Sequence, residues 1–139
     1  LPLAISARCY HARSHGLTKD SCLYVCDKDV DGMDVDTLDG DPFLVVNGLQ
    51  TLSYNCNNFI HELPKLAAAG ISHFRLSPHS WDMVKVAQAL RDVLDGKIDA
   101  QEADDILDDL SDGMPSSNGY LYGREGMQYT DQIASGDVE

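Results

Sequence analysis

Three short stretches, each with an apolar body and a polar exit, set the terms for this sequence. Leu3 to Ser6 leads into Arg8 and Cys9, Pro42 to Val46 leads into Asn47 and Gln50, and Ile71 to Leu76 leads into Ser77 and Pro78. Continuous runs of this kind suit strands covered on both faces, as in a parallel sheet. Helical segments come between and after them. Leu63 to Ala69 has Pro64 in its first turn and Gly70 just past its end, the asymmetry expected of a short helix. Trp81 to Leu94 sets Val84, Ala87, Leu90 and Leu94 on one face, which is expected to pack inward. Asp99 and Glu102 form a capping box ahead of Ala103, Ile106, Leu107 and Leu110. Asp31-Gly32 and Asp39-Gly40 are turn dipeptides, so Tyr24 to Val46 is expected to contain a hairpin.

Strand and helix signals alternate, which predicts an α/β architecture. The length of 139 residues is enough for one modest domain. Leu1 to Ser6 already reads as the body of a strand, so the sequence is expected to be a piece of a longer protein. A complete (β/α)₈ barrel takes about 250 residues. Residues 1–127 are therefore expected to form the C-terminal part of a TIM-like (β/α) barrel, incomplete as given. Gly, Ser and Asn accumulate after Ser111, and residues 128–139 read as a flexible tail. No apolar run reaches the roughly 18 residues of a membrane helix.

Ten basic residues stand against 23 acidic ones, a net charge of −13. Such a surface repels phosphate backbones and disfavours direct nucleic-acid binding. Much of the excess is local, in the aspartates between Asp27 and Asp41 and in Asp104, Asp105, Asp108 and Asp109. Both runs read as solvated surface.

Cys9, Cys22 and Cys26 carry the most specific chemistry. Twelve residues separate the first pair and three the second, a gap that lets two sulfurs face one side of a helical turn. Thiolates suit zinc or an iron–sulfur cluster, and both need about four protein ligands. The spacing leaves open a cluster, a zinc site, and unliganded or disulfide-bonded thiols. Cys56 reads as a small buried residue. Other patterns fall short. Asp27, Asp29, Asp31 and Gly32 match the start of a calcium-binding loop, but Leu38 stands where the closing Glu belongs. His11-Ala12-Arg13-Ser14-His15 has the outer spacing of a zinc-protease helix but has Ala12 in place of the catalytic Glu. Both histidines read as surface residues, with a role in tuning a neighbouring cluster as the alternative. No nucleophile elbow or phosphate-cradling glycine loop is present.

The stretches Ser6-Ala7-Arg8-Cys9-Tyr10-His11-Ala12-Arg13 and Lys19-Asp20-Ser21-Cys22-Leu23-Tyr24-Val25-Cys26 resemble the collagenase-like peptidase family. Within it they are most similar to members that act in anaerobic ubiquinone biosynthesis. The likeness continues through Phe43 to Thr51, Arg75 to Pro78 and Asn118 to Tyr120. The resemblance implies a [4Fe–4S] cluster held by Cys9, Cys22 and Cys26, with the fourth ligand outside this sequence; Cys56 matches no family ligand. It also implies a cytoplasmic subunit of an oxygen-independent hydroxylase of the quinone ring. The implied partners are a UbiU-like cluster protein in a heterodimer, a UbiT-like lipid carrier, prephenate as hydroxyl donor, and a ubiquinone precursor. Arg8, Asn47, Gln50 and Arg75 follow proposed strands, where a barrel site opens, and are candidate substrate contacts. Arg75 could hold a carboxylate bidentately or pair internally. No catalytic residue is assigned. The segment Asp27 to Asp41 and the acidic helix near Asp104 depart from the family pattern. Rival expectations are a peptidase, a tRNA-modifying member of the same family and a zinc-binding module.

Overall fold

Two tight turns decide the architecture of the first part of the chain in the computed structural model, which describes residues 1–130. Strands β1 (Pro2–Ile5), β2 (Met33–Asp36), β3 (Pro42–Asn47) and β4 (Gln50–Ser53) form one sheet in the order β1-β4-β3-β2, antiparallel throughout. The expected hairpin joins β2 to β3. Its turn is closed by the Thr37 N–H, which donates to the Asp41 carbonyl at 2.8 Å, with Gly40 at φ +91°. The second turn joins β3 to β4 through Gly48 and Leu49 alone, with Asn47 opposite Gln50. Gly48 takes φ +59° while Leu49 does not go positive, which fits a II′ connection with glycine at its first central position.

That second turn corrects the parallel-sheet expectation. Asn47 to Gln50 read as a polar strand exit, but a two-residue link can only return the chain antiparallel. The strands are not covered on both faces either: Ile5 is 80% exposed and Phe43 46%, whereas Val45 and Val46 are buried. Nor does Ile71 to Leu76 form a strand; residues 71–79 have neither helix nor strand. Ser72, His73 and Arg75 interrupt the run, and among the described residues no strand pairs with it. The result is a mixed α/β chain with a small antiparallel sheet and four α-helices, and the described residues form no closed barrel.

The chain divides into two compact units, Leu1–Cys56 and Asn57 onward, where one domain over residues 1–127 was expected. The first holds the four-stranded sheet and α1 (Tyr10–Ser14). Asn57, the second residue of the two-residue strand β5 (Cys56–Asn57) that pairs with β6 (Ser116–Ser117), opens the second. It continues with α2 (Leu63–Ala68), α3 (Met83–Leu94) and α4 (Ala100–Ser111). Asp82 and Asp99 cap α3 and α4, accepting from the N–H of Lys85 at 3.2 Å and of Glu102 at 2.8 Å. Ile60, Leu63, Ala89, Val93 and Ala103 form the core, with Leu90, Leu94, Ile98 and Leu107 packed against it.

Helix α3 buries Val86, Ala89 and Val93, while Val84 is 79% exposed and Ala87 is also exposed. Apolar residues occupy more than half its circumference, so periodicity allowed two overlapping stripes, and packing against α4 chose between them. Residues 128–130 of the expected tail are tied down: the Asn118 and Gly119 N–H groups both donate to the Gln128 carbonyl, and the Thr130 N–H donates to Asn118 Oδ1 at 2.7 Å. Residues 131–139 of that tail lie outside the described residues. Among the described residues no helix is long and apolar enough to cross a membrane.

Candidate functional site

Leaving β1, the chain is pinned over the β3–β4 turn. The Ser6 N–H donates to the Leu49 carbonyl at 2.9 Å, and the Arg8 N–H donates to Ser6 Oγ at 3.1 Å. Cys9 then caps α1 in an extended conformation. Its Sγ accepts from the Ala12 N–H at 3.3 Å and donates to the Gly48 carbonyl at 3.2 Å. Ile5 also pairs with Gln50, which itself faces Asn47. Three of the four expected substrate contacts, Arg8, Asn47 and Gln50, thus share one end of the sheet with Cys9. Arg75 belongs to the second unit, exposed in the irregular segment.

Behind Cys9, His11 is fully buried. Its Nδ1 lies 3.3 Å from the Val46 carbonyl and its Nε2 lies 2.8 Å from Asp29 Oδ2. That approach is not an aligned hydrogen bond, and Nε2 has no hydrogen-bond partner among the described residues. This corrects the surface expectation for His11. The inner side of a five-residue helix is made by His11 and Ala12, and the ring fills the space beneath it. His15 is exposed as expected and stacks on His11 with ring centres 5.6 Å apart.

Cys22 closes a 3₁₀ turn, Lys19–Ser21, and Cys26 lies in another, Val25–Lys28, against which α1 packs. Between them Leu23 and Tyr24 take φ +53° and +54°. The link is therefore not the helical turn that would set both sulfurs on one side. Two consecutive non-glycine residues in the left-handed region cost about 1–2 kcal/mol each, so this short loop is held against its own preference.

All four cysteines are partly buried, and Cys9, Cys22 and Cys26 are in no disulfide. Burial pushes the Cys56 thiol up, which disfavours its thiolate. Among the described residues no three His, Cys, Asp or Glu side chains converge closely enough to hold a metal ion. Cys9, Cys22 and Cys26 therefore fit a soft metal in donor chemistry and in sharing one unit, but not in convergence. The aspartates of the near-miss calcium loop do not converge either, and Asp29 faces His11.

A cleft of about 270 Å³ opens beside Cys9, lined by Ala7, Arg8, Arg13, Thr18, Lys19 and Asp20 as well as Cys9 itself. Arg13 and Lys19 follow no strand, and their nearness in sequence to Cys9 and Cys22 is the one local signal of their place in the cleft.

The second unit contains a polar network with no local signature in the sequence. Glu62, 4% exposed, accepts at Oε1 from the Tyr122 hydroxyl at 2.7 Å and from Asn118 Nδ2 at 3.2 Å. Its Oε2 is buried without a hydrogen-bond partner among the described residues. Burial, followed by the Glu62 carboxylate, pushes the Tyr122 phenol up to about 12. Asp104, expected as solvated surface, is half-buried and accepts from Asn58 Nδ2 at 2.6 Å, with His61 Nε2 at 3.3 Å.

No family model matches the chain, and no solved structure matches it.

Proposed function

We propose that Cys9, Cys22 and Cys26 supply three ligands of a [4Fe–4S] cluster, and that the chain is the UbiV-like component of an oxygen-independent hydroxylase in anaerobic ubiquinone biosynthesis. The observation that carries the proposal is the packing of α1, capped by Cys9, on the Val25–Lys28 turn that holds Cys26. Three free thiols belong to one small unit, and His11 joins their two segments through Asp29. For ligation, Cys9 Sγ gives up its contacts with Gly48 and Ala12, and the strained Leu23–Tyr24 link is the natural place for Cys22 and Cys26 to draw together. A cluster would supply the redox chemistry that hydroxylation without oxygen requires. On this reading the fourth ligand comes from residues outside this sequence. A UbiU-like protein completes a heterodimer, a UbiT-like carrier presents the ubiquinone precursor, and prephenate donates the hydroxyl. Arg8, Asn47, Gln50 and Arg75 are the proposed substrate contacts, and the proposed setting is cytoplasmic.

The test is purification of the full-length protein without oxygen, with iron and sulfide analysis and a visible spectrum. A brown protein is expected, with Cys9→Ser, Cys22→Ser and Cys26→Ser each lowering iron content and Cys56→Ser leaving it unchanged. A colourless protein with stoichiometric zinc overturns the proposal.

A further inference from the structure

The cleft beside Cys9 concentrates positive charge in a chain that is otherwise strongly acidic. Arg8, Arg13 and Lys19 line it, with Asp20 as its one acidic wall. The chain has 23 acidic side chains to offer as partners. Lys85, Arg91 and Lys97 of the second unit each take one or more, at 2.8–3.8 Å. Among the described residues no carboxylate stands within ion-pair distance of Arg8, Arg13 or Lys19. Three like charges around one concavity repel each other, and a concave wall focuses their field on whatever enters. Thr18 adds a hydroxyl to the wall, its Oγ1 lying 2.8 Å from Ser21 Oγ. Two guanidinium forks and an ammonium form a donor set suited to oxyanions. At about 270 Å³ the space falls just below the range that holds drug-sized ligands.

We propose that this cleft is a binding site for a small oxyanion carrying two or more negative charges, held by Arg8, Arg13 and Lys19. Phosphate and short dicarboxylates share the required chemistry. The cleft shares Cys9 and Arg8 with the function proposed above and in that respect rests on that reading, but Cys22 does not line it: Cys22→Ser is expected to remove iron while leaving anion binding intact, so the two proposals fail separately.

The experiment is titration calorimetry of the full chain at low ionic strength, with inorganic phosphate and succinate as probes and acetate as the singly charged control. At least one divalent probe should bind at least tenfold more tightly than acetate, and added salt should weaken binding steeply. The better of the two probes identifies the source class. Arg8→Ala combined with Arg13→Ala should weaken binding at least tenfold, whereas Lys65→Ala in the second unit should not change it. Asp20→Asn removes the opposing charge and should tighten binding severalfold, an outcome that damage to the fold would not produce. Binding no tighter than acetate for both probes, or unaffected by the arginine pair and by Asp20→Asn, overturns the proposal.

Discussion

His11 Nε2 stands 2.8 Å from Asp29 Oδ2, tying the helix that Cys9 caps to the turn that follows Cys26. The imidazole is fully enclosed, with its other nitrogen on the Val46 carbonyl of β3. One ring thus joins the sheet, α1 and the second cysteine-bearing loop, so a change at His11 should be felt as stability before anything else. His11→Ala removes a buried ring and leaves two oxygen acceptors facing a void. An unfolding free energy lower by about 2–4 kcal/mol is expected. Asp29→Ala removes a half-exposed partner and should cost less, about 1–2 kcal/mol. Urea denaturation of both variants checks the order; a His11→Ala protein as stable as the parent would mean the ring is not a keystone.

Gly32 and Gly40 provide a controlled comparison, because both have left-handed backbones but only one is crowded. A Cβ at Gly32 would come within 2.4 Å of Val45 Cγ1, at φ +109°. A Cβ at Gly40, at φ +91°, would meet nothing within 4 Å. Gly40→Ala should therefore cost only backbone strain, about 1 kcal/mol, and Gly32→Ala a further 1–3 kcal/mol, roughly, for displacing buried Val45. Thermal melts of the two variants, recorded side by side, would expose any reversal of that order.

Tyr122 makes the second unit sensitive to alkali. Its phenol rises from the usual 10.0 to about 12, first through burial and then through the Glu62 carboxylate that its hydroxyl donates to. A raised pKa means that the folded state favours the neutral phenol more than the unfolded chain does. The stabilisation is complete below pH 10 and is lost as the pH rises towards 12. Tyr122→Phe should flatten this part of the stability curve while lowering stability at neutral pH by the loss of one hydrogen bond. Following denaturant midpoints against pH, with phenolate absorbance as a parallel readout, tests the assignment. An alkaline slope identical in Tyr122→Phe would transfer the effect to another group.

What was legible in the sequence follows from how local each signal is. The cap at Asp99, the first-turn place of Pro64, the stop at Gly70 and the turn at Asp39-Gly40 depend on neighbours in sequence, and the structure has them where expected. Strand pairing depends on a partner elsewhere, and there local reading failed. Asn47-Gly48 is a hairpin signal, but the apolar run ending at Val46 reads locally as a buried strand with a polar exit. Ile71 to Leu76 found no partner and stayed irregular. At the site, Cys9, Arg8, Asn47 and Gln50 came together through the same Gly48 turn. The burial of His11 was invisible because its cause, the carbonyl of Val46 and the carboxylate of Asp29, is distant along the chain.

The loop between Cys22 and Cys26 yields the prediction that bears most directly on ligation. Leu23 and Tyr24 are 79% and 75% exposed, so replacing them sacrifices almost no burial. Both have positive φ, which glycine adopts without strain. Relief of about 1–2 kcal/mol per residue is partly offset by the extra freedom glycine gives the unfolded chain, about 0.5–1 kcal/mol. The double variant Leu23→Gly, Tyr24→Gly should thus be more stable than the parent by up to about 2 kcal/mol when both are metal-free. Reconstitution with iron and sulfide should then reverse part of that advantage. If ligation draws Cys22 and Cys26 together, the parent sheds strain that the variant no longer carries, and the parent should gain the larger rise in melting temperature. Equal gains in the two proteins would show that the left-handed pair persists after binding and has no part in bringing the thiols to a metal.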